Sequence, residues 1–348
     1  MRCTIFNLPK QKMLKPLDHY WYSTNLISLL LLPLSGLFCL LSRLRVMLYR
    51  LGILKSFKAP VPVIIVGNIS VGGTGKTPLI IELVKQLKAK GFKPGVISRG
   101  YGGKAGSWPQ KVTQTTTAEL VGDEPQLIFD QTACPVVVGP DRRKTVTRLL
   151  NEFACDIVLS DDGMQHYALQ RDIEIAVVDA QREFGNGFCL PSGPLRETVS
   201  RLQQVDLVIL NGGTEDQYAF SMQADNCLSA GSETSSHEAL SLSDFAGKTV
   251  HAIAGIGNPE RFFSMLKQHD IDVIPHAFAD HYNYQQADLL FNDQNPVLMT
   301  EKDAVKCKAY TLANHWSVPV TIKLTPVAQE KINQLIDSLG AQSNSPDK

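Results

Sequence analysis

The chain has 348 residues, room for two domains at the usual ~150 residues each. Lys plus Arg and Asp plus Glu both total 34, so the formal net charge is zero and no global basic field points to nucleic acid. The cysteines at positions 3, 39, 134, 155, 189, 227 and 307 form no CxxC pair, which argues against a disulfide framework or zinc site and for a reduced, cytosol-facing protein.

Residues 1–19 are polar and mildly basic, and Tyr20 to Ser42 carry no charge. An uncharged stretch of that length can cross a bilayer core. Tyr20, Trp21 and Tyr22 suit a membrane interface. Arg43, Arg45, Arg50 and Lys55 then alternate with Leu44, Met47, Leu48 and Leu51, the spacing of a basic amphipathic helix on an anionic surface. A buried core helix and a cleaved signal peptide compete with this reading. Pro33, Ser35 and Gly36 weaken the run, but no small-residue cleavage site stands out. We expect one membrane-embedded helix, with residues 1–55 forming the anchor and basic segment.

The chain's most informative stretch follows, Ile64-Ile65-Val66-Gly67-Asn68-Ile69-Ser70-Val71-Gly72-Gly73-Thr74-Gly75-Lys76-Thr77-Pro78. A β-branched run enters a glycine-rich turn, and a helical pattern begins at Lys76. This is the layout of a phosphate-binding loop, whose backbone N–H groups curl around phosphate oxygens at a helix start. Ser70 to Thr77 are the candidate nucleotide contacts: Ser70, Val71, Gly72, Gly73, Thr74, Gly75, Lys76 and Thr77. Lys76 reaches the β- and γ-phosphates, and the Thr77 hydroxyl can ligate Mg²⁺. Ser70 stands where the pattern asks for glycine. A glycine-rich turn with a chance Lys-Thr is the bland alternative.

Downstream, helix Leu79–Ala89 and strand Pro94–Ser98 lead into Arg99-Gly100-Tyr101-Gly102-Gly103, where Arg99 can contact phosphate or form a plain salt bridge. Gly122-Asp123-Glu124-Pro125 opens a helix; two acids there also fit simple dipole complementarity. Asp141-Arg142-Arg143 begins a basic helix. Asp156 to Ser160 form a buried strand that delivers Asp161 and Asp162 at its C-terminal end, where ligands sit in parallel sheets. Beside a phosphate loop these are candidate Mg²⁺ partners. Strands Ile173–Asp179 and Asp206–Leu210 bracket a long Gly- and Pro-rich loop ending in Arg196-Glu197, and long ordered loops tend to carry function.

Strands alternate with helices, so the expected fold is α/β: a P-loop NTPase-type parallel sheet core over 56–215, a polar boundary over 216–245 and a second, smaller α/β lobe over 246–338. The N-terminal membrane helix precedes the core, and residues 339–348 read as a disordered tail. Gly255-Ile256-Gly257-Asn258-Pro259 lacks the third glycine of a dinucleotide fingerprint. Three function classes stay open on residues alone: a kinase acting on a membrane-bound acceptor, a P-loop ATPase or GTPase switch, and a nucleotide-binding module without chemistry. Val71 replaces the extra lysine of targeting and partitioning ATPases. Glu301 in Thr300-Glu301-Lys302-Asp303 replaces the guanine-reading Asn.

Together, Gly67 to Pro78, Ser98-Arg99-Gly100-Tyr101-Gly102, Gly122-Asp123-Glu124-Pro125, Asp161-Asp162-Gly163-Met164-Gln165-His166, Pro191-Ser192-Gly193-Pro194-Leu195-Arg196-Glu197, Gly255 to Pro259, Asp280-His281 and Thr300 to Asp303 resemble the tetraacyldisaccharide 4'-kinase (lipid A 4'-kinase) family in that order. The resemblance explains Ser70, because the family's loop reads this way. It implies ATP- and Mg²⁺-dependent phosphorylation of an acylated disaccharide lipid at the cytoplasmic face of an inner membrane, with no nucleic acid and no obligate protein partner. Carried over residue by residue, Lys76 holds ATP; Thr77, Asp161, Asp162 and Glu197 manage Mg²⁺; Asp123 and His281 activate the acceptor hydroxyl. Arg99, Arg142, Arg143 and Arg196 are implied phosphate contacts.

Overall fold

The structure, a computed structural model, describes residues 17–230, 239–308, 310 and 314–343. Its central strand is Val63–Gly67, buried at every position. That strand pairs in parallel with Ile157–Asp161 on one side and Ile173–Asp179 on the other. Three adjacent strands buried on both faces explain why these runs are near-continuously β-branched rather than alternating. Among the described residues the sheet has nine strands, in the order Thr321–Leu324, Ala219–Gln223, Leu207–Asn211, Ile173–Asp179, Val63–Gly67, Ile157–Asp161, Pro94–Ser98, Val136–Val138 and Gln110–Lys111.

One face is covered by helices Lys76–Ala89 and Asp123–Thr132, whose Leu79, Ile80, Leu83, Leu87 and Ile128 share a core cluster with Ile64 and Val66. The other face packs helix Arg142–Glu152 through Val146 and Leu149 onto Ile65 and Val158. Helices on both faces of a parallel core make this a doubly wound α/β lobe, as the sequence predicts.

The second sheet runs Ala239–Ser241, Asn226–Ser229, His315–Val318, Val297–Thr300, Thr249–Ala254 and Asp272–Ala277. The lobes therefore do not divide at the expected limits. Within the predicted boundary region, Ala219–Gln223 belongs to the larger sheet and Asn226–Ser229 to the smaller. Near the C-terminus the chain returns: Thr321–Leu324 pairs antiparallel with Ala219–Gln223, and helix Pro326–Ser343 follows. Ala328, Ile332, Ile336 and Leu339, an apolar stripe at helical spacing, join the larger lobe's core. That stripe also carries the helix through the start of the predicted disordered tail; positions 344–348 lie outside the described residues.

The N-terminal apolar segment is not one helix from Tyr20 to Ser42. Asn25 caps a short helix, Leu26–Leu30, in a capping box with Ser28. A new helix, Leu32–Arg50, starts with Pro33 in its first turn and joins the apolar run to the basic one without a break. By length and composition it could cross a membrane. Leu34, Leu37, Leu40, Leu41, Leu44 and Met47 are exposed, while Phe38 and Cys39 pack on the core.

Replacing Ile332 by Ala should cost ~2–5 kcal/mol of stability of the larger lobe in urea unfolding, because it cuts a cavity into a closed core. A loss under about 0.5 kcal/mol, the range of surface changes, would mean that the last helix is not part of that core.

Candidate active site between the two lobes

The phosphate loop leaves the C-terminal end of the central strand, and Asp161 leaves the end of its neighbour in register with Val66. The sheet therefore places loop and carboxylate side by side. Gly75 caps the helix with φ 96, and a Cβ there would meet Asn211 Nδ2 at 2.6 Å and the Phe220 ring at 3.2 Å. Only glycine fits that left-handed, crowded position. Asn68 Nδ2 donates to Thr74 Oγ1 at 3.2 Å and Asn211 Nδ2 to Thr74 O at 3.0 Å. Those two amides hold the loop's shape. Sequence reading missed both; Asn68, next to Gly67 in the motif, was the more visible.

Two expected loop contacts are engaged elsewhere. The Val71 N–H donates to Pro194 O at 2.8 Å, and Ser70 bridges to Leu195. The loop Pro191–Glu197 is thus zipped along the first part of the phosphate loop, leaving Gly72 to Thr77 as the open cradle.

Lys76 Nζ lies 3.7 Å from Asp162 Oδ1. Asp162 is also gripped at both oxygens by Arg196, at 2.8 Å each. Burial opposes its charge, but Lys76 and Arg196 outweigh that and hold the carboxyl well below the usual range. Asp161 differs. It is buried, Ser98 Oγ donates to its Oδ2 at 3.0 Å, and its Oδ1 has no partner. Burial, then the nearby Glu124 carboxylate, push Asp161 up to about 7 against the pull of Lys76. An orphaned buried carboxylate oxygen suits a hard divalent cation, and the Thr77 hydroxyl belongs to a residue lining the phosphate-loop cavity.

The other expected metal partners do not share that position. Glu197 accepts from Gln165 Nε2 at 3.0 Å and from Tyr167 Oη, so both its oxygens are occupied. Among the described residues no three His, Cys, Asp or Glu side chains gather as a metal cluster.

Of the four arginines, Arg142 is buried and donates to Asp161 O at 2.7 Å, while its Nε and Nη1 have no partner. Burial lowers it to about 10, with Arg99 adding to the effect. Burial, then Arg142, also push neighbouring His166 down to about 4. Unmet donors on a buried cation form an anion-seeking group. Arg143 is not in this cluster. It is exposed, and its guanidinium lies over the Phe57 ring at 5.5 Å.

Asp123 and His281 come together from different lobes. Asp123 opens a helix of the larger lobe; His281 sits on a smaller-lobe loop in a left-handed conformation, φ 59. His281 Nδ1 is 3.0 and 3.1 Å from the two Asp123 oxygens, and the Tyr101 ring lies 4.9 Å away. A non-glycine left-handed residue costs free energy and marks a position over-determined by its surroundings. For Asp123, burial is the largest influence and raises the pKa, yet the His281 hydrogen bond and Lys302 bring it below its usual value. For His281, burial lowers it, but the Asp123 hydrogen bond together with the Asp123 and Asp280 charges outweighs that, so the imidazole is held above its usual value.

Two cavities open beside this helix start, and the pair lines the second of them. One, ≈ 610 Å³, is lined by Gly73 to Pro78, Glu124, Asn211, Arg261, Phe262 and Lys302. The other, ≈ 570 Å³, is lined by Tyr101, Asp123, His281 and Lys306. The adjacent acids Asp123 and Glu124 thus face different cavities.

A family model described as tetraacyldisaccharide-1-P 4'-kinase matches residues 27–338. This chain belongs to that family. A tetraacyldisaccharide 4'-kinase of Actinobacillus pleuropneumoniae serotype 7 (strain AP76) is 50% identical over 88% of this chain and 94% of its own length. One from Hahella chejuensis (strain KCTC 2396) is 46% identical over 94% and 98%. A crystal structure described as the "apo" form of LpxK from Aquifex aeolicus in complex with ATP superposes with a TM-score of 0.74 at 30% identity, covering 90% of this chain and 99% of that one.

In this family member, Lys302 is the site residue that the sequence reading quoted without a role. Its Nζ lies 3.0 Å from Glu124, 3.2 Å from Asp280 and 3.8 Å from Asp123. Burial disfavours its charge, but Glu124, Asp123 and Asp280 together hold the ammonium above its ordinary pKa. Lys302 favours the charged form of Asp123 and the neutral form of His281. Lys302→Gln should therefore raise both values. With Asp123 as the base proposed below, the acidic limb of kcat/KM then moves to higher pH, because a base must be ionised to accept a proton. A rate loss with an unmoved limb would contradict this role.

Proposed function

We propose that this chain is an ATP-dependent kinase that phosphorylates the 4'-hydroxyl of a tetraacylated glucosamine disaccharide 1-phosphate, giving lipid IVA. The observation that carries this reading is the Asp123–His281 pair, which lines one open cavity while the adjacent Glu124 lines the phosphate-loop cavity. ATP occupies the first cavity, with Gly72 to Thr77 around its phosphates and Lys76 on the β- and γ-phosphates. The sugar enters the second. Asp123 takes the proton of the acceptor hydroxyl as its oxygen bonds to the γ-phosphorus. The bond from that phosphorus to the β,γ-bridging oxygen breaks, and ADP leaves. His281 holds the Asp123 carboxylate in position, and its imidazole charge offsets the charge gathered there.

Mg²⁺ fits Asp161 and the Thr77 hydroxyl and, when bound, neutralises charge on the phosphates. Asp162 positions Lys76 and Arg196, and Glu197 orients the loop through Tyr167 and Gln165. Arg142, Arg196 and Arg99 supply positive charge next to Asp161 and Asp162. A switch ATPase or GTPase finds no support at Glu301, which is bonded to Gln131.

We also infer that the enzyme works on the cytoplasmic face of an inner membrane, with helix Leu32–Arg50 lying in the surface rather than crossing it. The preceding helix Leu26–Leu30 is tied to the core by Ser192 Oγ donating to Ser28 O at 2.5 Å; in Leu32–Arg50, Ser35 Oγ donates to Cys189 O at 2.8 Å near the start and Tyr49 lies 6.1 Å from Tyr167 near the end. A helix held to the core near its start, at Phe38 and Cys39, and near its end lies against the lobe rather than standing free to cross the hydrocarbon. Its exposed leucine face suits shallow insertion.

The reading is tested with γ-labelled ATP and the purified disaccharide lipid. Wild type should label the lipid, and Asp123→Asn should lower kcat by ~10²–10⁴-fold, the usual worth of a general base. Acceptor-independent hydrolysis at full rate would refute the kinase. For the surface helix, Leu37→Glu with Leu41→Glu should release the protein from anionic vesicles while kinase activity on detergent-dispersed substrate persists. Undiminished vesicle binding would refute the docking face.

A further inference from the structure

We propose that Arg261, supplied by the smaller lobe, binds the terminal phosphates of ATP, and that Asp179 is its positioning residue. This deepens the kinase reading and rests on it. Arg261 lies in the first turn of helix Pro259–Gln268 and lines the same cavity as Gly73 to Thr77. Among the described residues its side chain makes one hydrogen bond, Nη2 to Asp179 Oδ1 at 3.2 Å. A guanidinium carries more N–H donors than that bond uses, and the side chain remains a quarter exposed.

Asp179 ends the strand next to the central one, so its carboxylate emerges beside the phosphate loop. It is buried, and its Oδ1 also accepts from the N–H groups of Gln181 at 3.0 Å and Arg182 at 3.1 Å. Its Oδ2 has no partner. A fixed buried carboxylate facing a triphosphate would repel it. Arg261 cancels that charge and can share its free donors with a phosphate in the bidentate geometry guanidinium favours.

The lobes hold Arg261 in range. Gly257 packs on the phosphate loop so closely that a Cβ there would lie 3.0 Å from Gly73 Cα. Arg182 of the larger lobe donates to Gly257 O, and Gly255 N donates to Asp303 at 2.8 Å. The loop that begins the Arg261 helix is therefore pinned from both lobes, and Arg261 lines the same cavity as Lys76. Triphosphate binding and lobe docking then become one event, because the same cation serves both.

The test uses the full chain in detergent with MgCl₂ and fluorescent mant-ATP, mant-ADP and mant-AMP. Arg261→Gln should weaken mant-ATP by about 10- to 100-fold, as expected for loss of a charge-assisted bond. Mant-ADP should weaken less and mant-AMP should not change. The ATP-to-AMP affinity ratio does not depend on the folded fraction, so a poorly folded variant cannot mimic this result. Arg261→Lys should recover part of the ratio. Asp179→Asn should lower the ratio in the otherwise wild-type chain, where Arg261 loses its positioning partner, and raise it in the Arg261→Gln background, where the carboxylate is no longer cancelled. An unchanged ratio in Arg261→Gln, with wild type binding ATP normally, would overturn this proposal alone. Wild type failing to bind mant-ATP would overturn the kinase reading with it.

Discussion

The Asp123–His281 hydrogen bond joins residues 158 positions apart, one from each lobe. Neither residue is placed by the other's sheet. The pair exists only while the lobes are docked, so the chemistry proposed for it depends on the interface rather than on either lobe alone. Lys302 reinforces that dependence. It bridges Asp123 and Glu124 of the larger lobe to Asp280 of the smaller, and its charge favours the ionised form of Asp123. Three carboxylates around one buried ammonium are costly to separate, because removing one partner leaves an uncompensated charge.

The larger sheet explains why the phosphate loop and its neighbouring carboxylates face this interface. Parallel strands deliver their ligands at their C-terminal ends. There the phosphate loop, Asp161 and Asp179 leave three adjacent strands. The smaller lobe covers that edge with Gly255 to Arg261 on one side and His281 on the other. A backbone contact as close as Gly257 on Gly73 tolerates no side chain, which gives the glycine run a purpose unrelated to dinucleotide binding.

Much of this was legible in the sequence. The β-branched run before Gly67, the Gly-Lys-Thr helix start and the strand ending in Asp161-Asp162 carry local signals, and local signals survive folding. What was not legible depends on pairing across the chain. Nothing near Val71 shows that its N–H is taken by Pro194. Glu197 reads as an open carboxylate until Gln165 and Tyr167 close on it. Arg143 looks equivalent to Arg142, but one helix step turns it away to Phe57. The last helix looks like part of the second lobe because it follows it; only its stripe of Ala328, Ile332, Ile336 and Leu339, matched to a distant core, assigns it elsewhere. The Asp123–His281 pair came from the family resemblance, since no spacing rule links such distant residues.

The most direct test of the interlobe pair is a double-mutant cycle on kcat with Asp123→Ala and His281→Ala. If the two act as one unit, the double variant is about as slow as the slower single variant, as for other groups that work together. If the two losses multiply, the residues contribute independently and the pair is not the catalytic unit.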